Sequence, residues 1–270
     1  MDKDTIKRLI IEYQQFVANI TLIEREIHLS HQLNYVFVGL RRAGKSYLMY
    51  QQIQSLLNDG HQPEEILYFN FEDDRLVNLT VEDLDLIKVS YEELYPHKPI
   101  FFLDEIQIVE HWEKFARRLA DQQYRVYITG SNAKMLSAEI ATTLGGRYIV
   151  QNVYPFSFSE FLKASKIEIG PTWYYKNRTE IVRTFSDYFS YGGLPELMLI
   201  ETIEKRQWLS NLFNKIFFGD LITRYSIRND LAMKVLIRKL AESVKQPSSF
   251  NRLTNIVSTT GAKVSTDTII

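Results

Sequence analysis

The stretch Gly39-Leu40-Arg41-Arg42-Ala43-Gly44-Lys45-Ser46 fits the pattern G-x-x-x-x-G-K-[ST] at every fixed position. It follows an apolar run, Asn34 to Val38, that predicts a buried strand, and it precedes a helical pattern from Tyr47 to Leu57. Glycines let such a loop curl around phosphate groups, so that its backbone N–H groups point inward. The N-terminus of the following helix adds partial positive charge. The sequence therefore predicts a phosphate-binding loop between a strand and a helix.

The last residues of this loop have expected chemical roles. We expect the Lys45 ammonium to reach the β- and γ-phosphates of ATP and the Ser46 hydroxyl to ligate Mg²⁺. The alternative is a glycine-rich turn that precedes a helix by chance, which the matching strand, spacing and helix disfavour. The expected cofactors are ATP and Mg²⁺. The candidate nucleotide-binding residues are Gly39, Leu40, Arg41, Arg42, Ala43, Gly44, Lys45, Ser46 and Tyr47.

A second motif, Ile100-Phe101-Phe102-Leu103-Asp104-Glu105, joins an apolar run to two acidic residues. A carboxylate at the C-terminal end of a buried parallel strand lies beside the phosphate-binding loop in this architecture. We expect Asp104 to hold Mg²⁺ through water and Glu105 to polarise an attacking water molecule. The alternative is a solvated Asp-Glu pair after a strand. The complete loop motif upstream favours the catalytic interpretation.

Polar residues after two further predicted strands are also candidates. Ser131 and Asn132 follow the fourth strand, and we expect one of them, with Asn132 preferred, to contact the γ-phosphate or the lytic water; helix capping explains them equally well. Arg147 follows two glycines and is a candidate for an arginine that supplies transition-state charge beside the nucleotide or to a neighbouring subunit. A surface salt bridge is the alternative for Arg147.

The bulk composition bounds the class of protein. The chain has 270 residues, of which 45% are hydrophobic and 24% charged, and its net charge is −1, so nothing global draws it toward nucleic acid. The absence of cysteine excludes disulfides, thiolate metal sites and thiol catalysis. The five histidines show no metal-binding spacing. We find no apolar run near the length of a membrane span and no apolar signal core, and therefore expect a cytoplasmic protein.

Short apolar runs alternate with helical patterns along the first 155 residues. This alternation predicts an α/β fold with a mostly parallel sheet and helices on both faces. The predicted strands are Asn34 to Val38, Ile66 to Phe71, Ile100 to Leu103, Arg125 to Ile128 and Tyr148 to Val153, and helices are predicted over residues 4–20, over Tyr47 to Leu57 and around Trp112 to Leu119.

The composition changes after Pro155, where aromatic and helical patterns replace strands. We predict an N-terminal helix over residues 1–20, a P-loop core over 21–160, a helical region over 161–245, and an incomplete helix-turn-helix over 246–270. Ser249 or Ser248 would cap the first helix of that last unit, and Ser265 the second. The second helix has only about five residues, fewer than a stable helix needs.

The ordered set of motifs resembles the prokaryotic AAA-type ATPases that carry a C-terminal domain of unknown function. The matching pieces are GLRRAGKS at 39–46, YFNFEDDRL at 68–76, FFLDEIQ at 101–107, YITGSNAKML at 127–136, LGGRYIVQNVYPFSFSEFL at 144–162 and YGGLPE at 191–196. The resemblance implies a P-loop NTPase fold of the AAA-like type, with an added strand between the P-loop strand and the Asp104 strand. It also implies a smaller, helical, winged-helix-like region afterwards, so that residues 246–270 are the start of a longer unit.

Three functions remain open from the sequence. The first is Mg²⁺-dependent ATP hydrolysis coupled to a conformational switch, with DNA or a partner protein as the object of that switch and a homo-oligomer as the candidate assembly. The second is a P-loop kinase that acts on a small molecule; the Glu that directly follows Asp104 favours the ATPase instead. The third is a nucleotide-gated binding module with little turnover.

Overall fold

The computed structural model describes residues 2–76, 78–130, 142–168, 170–223, 227, 229–244 and 249–259. Its contacts divide the chain into two compact units, Met1–Lys205 and Arg206–Ile270. The first unit contains a sheet with flanking helices, and the described part of the second is helical. The sequence analysis ends the P-loop core at residue 160 instead, and the predicted domain bounds stay predictions.

The elements of the first unit alternate as the sequence indicates. The strands are β1 Asn34–Val38, β2 Ile66–Asn70, β3 Ile100–Asp104, β4 Val126–Gly130 and β5 Tyr148–Asn152. The helices are α1 Lys3–Asn19, α2 Lys45–Asn58, α3 Val81–Leu94, α4 Trp112–Asp121, α5 Phe158–Ala164, α6 Trp173–Lys176, α7 Arg178–Tyr191 and α8 Thr202–Asn214, the last of which continues into the second unit. Short 3₁₀ helices occupy Pro63–Glu65, Ile106–Ile108 and Pro195–Leu199.

The five strands form one parallel sheet in the order β2-β3-β4-β1-β5. The strand β4 therefore lies between the strand that precedes the phosphate-binding loop and the strand that ends at Asp104, which confirms the predicted P-loop NTPase fold of the AAA-like type. Because all neighbours are parallel, the carboxyl ends of β1, β3 and β4 meet at one edge, where ligands bind in open α/β sheets.

Both faces of the sheet are covered, because side chains alternate along each strand. One face packs with α2 and carries Tyr35, Phe37, Tyr68, Phe102 and Tyr127. The other face packs with α1, α3 and α4 and carries Val36, Val38, Leu67, Phe69, Phe101, Leu103, Val126 and Ile128. This double burial explains why the strands read as continuous apolar runs. Asp104 lies on the same face as α2, because it is two residues after Phe102 on β3 and side chains two apart on a strand point to the same face.

Sequence patterns located each strand to within two residues but did not identify α3. Its signal is nevertheless present, since Leu84, Ile87 and Tyr91 recur at helical spacing and are buried. Thr80 caps this helix in a reciprocal arrangement with Asp83. Such a capping box is a start signal for a helix that can be read from sequence.

A glycine at position 39 is required by a close approach of two backbones. Val153 donates its N–H to the carbonyl of Val38 at 2.7 Å, which holds the exit of β5 against the exit of β1. A Cβ on Gly39 would lie 2.1 Å from the Val153 carbonyl oxygen. Gly44 has a different reason, since its φ of +95° lies in the left-handed region that disfavours other residues. The two fixed glycines of the loop thus serve separate steric needs.

The second unit is described over part of its length. A π-helix spans Lys215–Thr223, and two helices follow, α9 Asp230–Glu242 and α10 Phe250–Ser258. Ser249 caps α10, as predicted, by accepting a hydrogen bond from the Arg252 N–H. The predicted second helix of the helix-turn-helix, after Ser265, lies outside the described residues. Within the part of the chain that the structure describes, none of the helices combines the length and the apolar composition needed to cross a membrane.

The substitution Gly39→Ala tests the close approach at the loop entrance. The added methyl must displace the Val153 carbonyl, so we expect the free energy of unfolding to fall by roughly 1–3 kcal/mol, the usual scale for overpacking. Gly170→Ala is the matched control, because a Cβ there would meet no described atom within 4 Å; a change within about 0.5 kcal/mol is expected. Denaturant unfolding measures both, and equal effects would refute the close approach.

Candidate functional site

The predicted phosphate-binding loop is a closed turn that leads directly into α2. The N–H of Ala43 binds the Leu40 carbonyl at 3.2 Å within the turn. The Lys45 ammonium folds back over the loop, with its Nζ 3.4 Å from the Gly39 oxygen and 3.2 Å from the Leu40 oxygen. Burial lowers the pKa of Lys45, although the carboxylate of Glu105 opposes this shift. The lysine therefore lies in the loop itself, where a phosphate would replace carbonyl oxygens as its partner.

Asp104 lies at the end of β3 and is 3% exposed. Both of its carboxylate oxygens accept hydrogen bonds from hydroxyls of neighbouring strands, Oδ1 from Thr129 on β4 and Oδ2 from Tyr68 on β2. Burial raises the pKa of Asp104, and the hydrogen bonds from Thr129, Tyr68 and Ser46 oppose this shift. The influence of Ser46 on this pKa places the predicted metal carboxylate near the first turn of α2.

Glu105 directly follows Asp104 and has a left-handed backbone conformation, with a φ of 56°. This conformation ends the strand and turns the Glu105 side chain away from the strand direction. Its N–H binds the Thr129 hydroxyl at 2.9 Å, so that this one hydroxyl orders both acidic residues. One Glu105 oxygen accepts from the amide of Gln107. The other lies 3.8 Å from the Lys45 Nζ. The cluster therefore brings the predicted base within reach of the phosphate-binding lysine.

A buried arginine ties the loop to the chain that follows β5. The guanidinium of Arg25 donates to the Ala43 carbonyl at 3.0 Å, to the Tyr154 carbonyl at 2.7 Å and to Glu160 at 2.8 Å. It also lies over the ring of Phe156, 5.1 Å from the centroid. Arg25 and Glu160 are 5% and 4% exposed. This ion pair thus connects the phosphate-binding loop with α5.

Glu160 is held by more than the arginine. Its oxygens also accept the N–H groups of Ser157 and Glu26, at 2.8 and 2.9 Å. Burial by itself would raise the pKa of Glu160, but the hydrogen bonds from Arg25 and from these two N–H groups outweigh burial, and the pKa lies below its ordinary value. Glu160 is therefore a carboxylate that the fold keeps charged.

The segment after α7 returns to the loop as well. Glu196 forms an ion pair with Arg42, which has a left-handed φ of 63° inside the loop. Pro195 approaches Gly44, where a Cβ would lie 3.8 Å from the proline ring. Gly193 accepts the Phe156 N–H at 2.7 Å, which joins this segment to the chain before α5. The loop is thus in contact with two segments beyond β5.

The comparison with protein families agrees with this geometry. A family described as an AAA domain matches residues 31–162, which include the loop, Asp104, Glu105 and Glu160. The part of the chain that carries the candidate site is thus similar to AAA domains.

Two curated relatives share 32% identity with the chain. An uncharacterized protein of Methanocaldococcus jannaschii matches over 99% of this chain and 60% of its own length, and an uncharacterized protein of Haemophilus influenzae over 92% and 62%. The chain therefore spans about three fifths of the length of these relatives.

Solved structures of low similarity also align with the chain. A DNA polymerase III gamma subunit-related protein of Thermotoga maritima aligns at 12% identity with a TM-score of 0.37, over 97% of this chain and 96% of that one. The Aeropyrum pernix ORC1 protein, solved in complex with DNA, aligns at 13% identity with a TM-score of 0.35, over 98% and 80%.

The structure places the other predicted site residues in different ways. Leu40 and Tyr47 are about half exposed, and an Arg41 guanidinium nitrogen lies 3.5 Å from a Glu72 carboxylate oxygen. Ser131 and Asn132 lie outside the described residues.

Arg147 is not brought to the cluster. It precedes β5, whose first residue pairs with the first residue of β1, so Arg147 lies at the sheet edge opposite the phosphate-binding loop. Its Nε donates to Asp121 at 2.5 Å. In its own chain it therefore does not lie beside the nucleotide site, contrary to that expectation. A role toward a neighbouring subunit stays a prediction.

Four residues of the site were not predicted from sequence: Tyr68, Thr129, Arg25 and Glu160. Tyr68 and Thr129 occur inside the motifs quoted from the sequence. The available signal was the alternation of side chains along each strand, which puts both residues on the same face as Phe102 and Asp104. Glu160 also had a signal, since Ser157-x-x-Glu160 is a capping box that precedes α5. Arg25 stands alone in an irregular segment, where nothing in the sequence indicates its buried partner.

The oxygen atoms of Ser46 and Asp104 fit Mg²⁺. This cation prefers oxygen ligands and is usually held by one or two carboxylates together with phosphate oxygens and water. Ser46 lies close enough to Asp104 to lower its pKa, which places a hydroxyl and a carboxylate near each other beside the loop. No group of three or more His, Cys, Asp or Glu suited to a metal occurs in the ranges described above.

The substitution Glu160→Gln tests the buried ion pair. It leaves the Arg25 charge buried without its partner, so we expect the free energy of unfolding to fall by roughly 3 kcal/mol at neutral pH. Glu26→Gln is the control, because the Glu26–Lys163 pair is exposed and should contribute less than about 1 kcal/mol.

The same pair has an expected pH dependence. Because the folded pKa of Glu160 lies below the ordinary value of 4.5, its stabilisation is present above that value and is lost as the pH falls through the folded pKa. The stability difference between wild type and Glu160→Gln should therefore persist at pH 5 and shrink in stronger acid. A difference that is the same at all pH values would contradict the charged pair.

Proposed function

We propose that this chain binds Mg²⁺ and ATP and hydrolyses the nucleotide, and that hydrolysis drives a conformational switch. The observation that carries the proposal is the convergence of Lys45, Asp104 and Glu105 at one sheet edge, with the Lys45 ammonium 3.8 Å from the Glu105 carboxylate. Lys45 would bind the β- and γ-phosphates, and Ser46 and Asp104 would hold the metal. Glu105 would orient and activate the attacking water.

The environment of Glu105 supports its role as a base. A base must lie within hydrogen-bonding reach of the reacting water, and it must be positioned by its surroundings. The Thr129 hydroxyl holds the Glu105 backbone, while Gln107 and Lys45 approach its two oxygens. A γ-phosphate that binds Lys45 would compete with Glu105 for the ammonium and would leave one carboxylate oxygen available for water.

The contacts of the loop support coupling of nucleotide binding to a wider change. Arg25 binds the Ala43 carbonyl of the loop and, through Glu160, the start of α5. Arg42 inside the loop binds Glu196. A nucleotide that reshapes the loop would therefore act on both segments at once, because packed and charged contacts have few alternative arrangements.

A nucleotide-gated module with little turnover is the second candidate. It is favoured by the bond from Gln107 to Glu105, which occupies an oxygen that a base would use. A steady-state phosphate-release assay distinguishes the two functions. Release from ATP without an acceptor supports the ATPase, whereas ATP binding without release supports the gated module. The same assay with DNA added, and over a range of protein concentrations, tests DNA as the object of the switch and a trans role for Arg147.

The substitution Lys45→Ala should abolish ATP binding while the fold survives, because the ammonium is the main charged group in the loop for the phosphates. Calorimetry measures binding, and circular dichroism verifies the fold. Lys98→Ala is the control, since Lys98 also contacts two backbone carbonyls but precedes β3 at the opposite edge of the sheet. Unchanged ATP affinity in Lys45→Ala would refute the loop as the nucleotide site.

The substitution Glu105→Gln should preserve ATP binding and slow phosphate release by roughly 10²-fold or more, the usual scale for a positioned base. The amide keeps the size of the side chain but cannot take a proton from water. Glu110→Gln, an exposed position, should hydrolyse ATP at the wild-type rate. Wild-type turnover in Glu105→Gln would remove Glu105 from the mechanism.

A further inference from the structure

Asp104 is held from both sides by the strands next to its own. The sheet order β2-β3-β4 puts β3 in the middle, and the register pairs Tyr68 with Phe102 and Asn70 with Asp104. Tyr68 is therefore the diagonal neighbour of Asp104 on the α2 face. Its hydroxyl donates to Asp104 Oδ2 at 2.8 Å, while Thr129 donates to Oδ1. The carboxylate thus has one fixed donor for each oxygen.

The direction of the hydrogen bonds follows from the number of hydrogens. A phenol has one hydrogen, and that of Tyr68 goes to the carboxylate. The Tyr50 hydroxyl lies 3.0 Å from the Tyr68 hydroxyl and must donate to it. The hydrogen bonds therefore form a chain in which Tyr50 donates to Tyr68 and Tyr68 donates to Asp104. Of the two tyrosines, only Tyr68 contacts the carboxylate.

Packing allows Tyr68 little freedom to leave this position. The residue is 1% exposed, and its ring meets those of Tyr13 and Tyr50 edge to face, at centroid distances of 5.4 and 5.3 Å. A hydroxyl on a ring held in this way is a rigid donor. Rotation of the Asp104 carboxylate would break its bonds to both Tyr68 and Thr129.

We propose that Tyr68 is a positioning residue for the metal: its hydroxyl fixes the orientation of the Asp104 carboxylate toward Mg²⁺ and contacts neither nucleotide nor metal itself. This inference rests on the proposed function. Mg²⁺ demands near-ideal octahedral geometry and keeps several waters. A carboxylate that rotates freely would therefore bind the hydrated ion more weakly than one held by two donors. The phosphates of ATP bind through the loop, so their affinity without metal does not depend on this hydroxyl.

The test compares Tyr68→Phe, Tyr50→Phe and the wild type, each as the full chain. Calorimetry measures ATP affinity in EDTA, and a Mg²⁺ titration with ATP present gives the half-saturating metal concentration. For Tyr68→Phe we expect that concentration to rise about tenfold, the scale of one hydrogen bond to a charged group, with ATP affinity in EDTA unchanged. Tyr50→Phe should shift it less than about threefold, because Tyr50 does not contact Asp104.

The double variant Tyr50→Phe/Tyr68→Phe removes both hydroxyls, so it leaves no buried phenol without an acceptor. It should show the same tenfold shift as Tyr68→Phe. An unchanged Mg²⁺ requirement in both variants that lack the Tyr68 hydroxyl would overturn the inference, and so would equal losses of affinity with and without metal. A wild-type chain that binds ATP equally well in Mg²⁺ and EDTA would instead refute the metal site of the proposed function.

Discussion

The parallel register of β1, β3 and β4 determines where every group of the candidate site lies. Because these strands run in one direction, the loop after Val38, the carboxylate of Asp104 and the hydroxyl of Thr129 meet at the same edge. Alternation along the strands then puts Asp104, Thr129 and Tyr68 on the face covered by α2. Ser46, in the first turn of α2, lies near Asp104 for this reason. A slip of one residue would turn these side chains to the opposite face.

The site is also connected to the rest of its unit through charged groups that the fold buries. The Arg25–Glu160 pair removes two charges from water, which is costly unless the geometry and the additional hydrogen bonds are good. Here the guanidinium has carbonyl partners on two segments, and the carboxylate has two N–H donors. Removal of either partner would leave a buried charge without its counter-ion, so the pair holds the loop and α5 together. It would serve in this way the proposed coupling of nucleotide binding to the chain beyond β5.

Local patterns in the sequence were sufficient for the sheet and for the loop. Continuous apolar runs marked each strand, because both faces are buried, and the motif at Gly39 to Ser46 indicated the edge where Asp104 and Glu105 would meet it. What local patterns could not show was contact between residues distant in the chain. Arg25 and Glu160 are 135 residues apart, and Tyr68 and Asp104 are 36 apart. The expectation that Arg147 lies beside the nucleotide was wrong for a different reason: a residue that precedes a parallel strand lies at the edge opposite the loop that follows β1.

The most direct test of the Mg²⁺ and ATP site is a crystal structure of the chain with Mg²⁺ and a non-hydrolysable ATP analogue. The proposed site predicts that the Lys45 ammonium leaves the carbonyls of Gly39 and Leu40 and contacts the β- and γ-phosphates. It also predicts a metal ion next to the Ser46 hydroxyl, on the side of Asp104. A nucleotide bound elsewhere, with Lys45 still on its own loop carbonyls, would contradict the assignment.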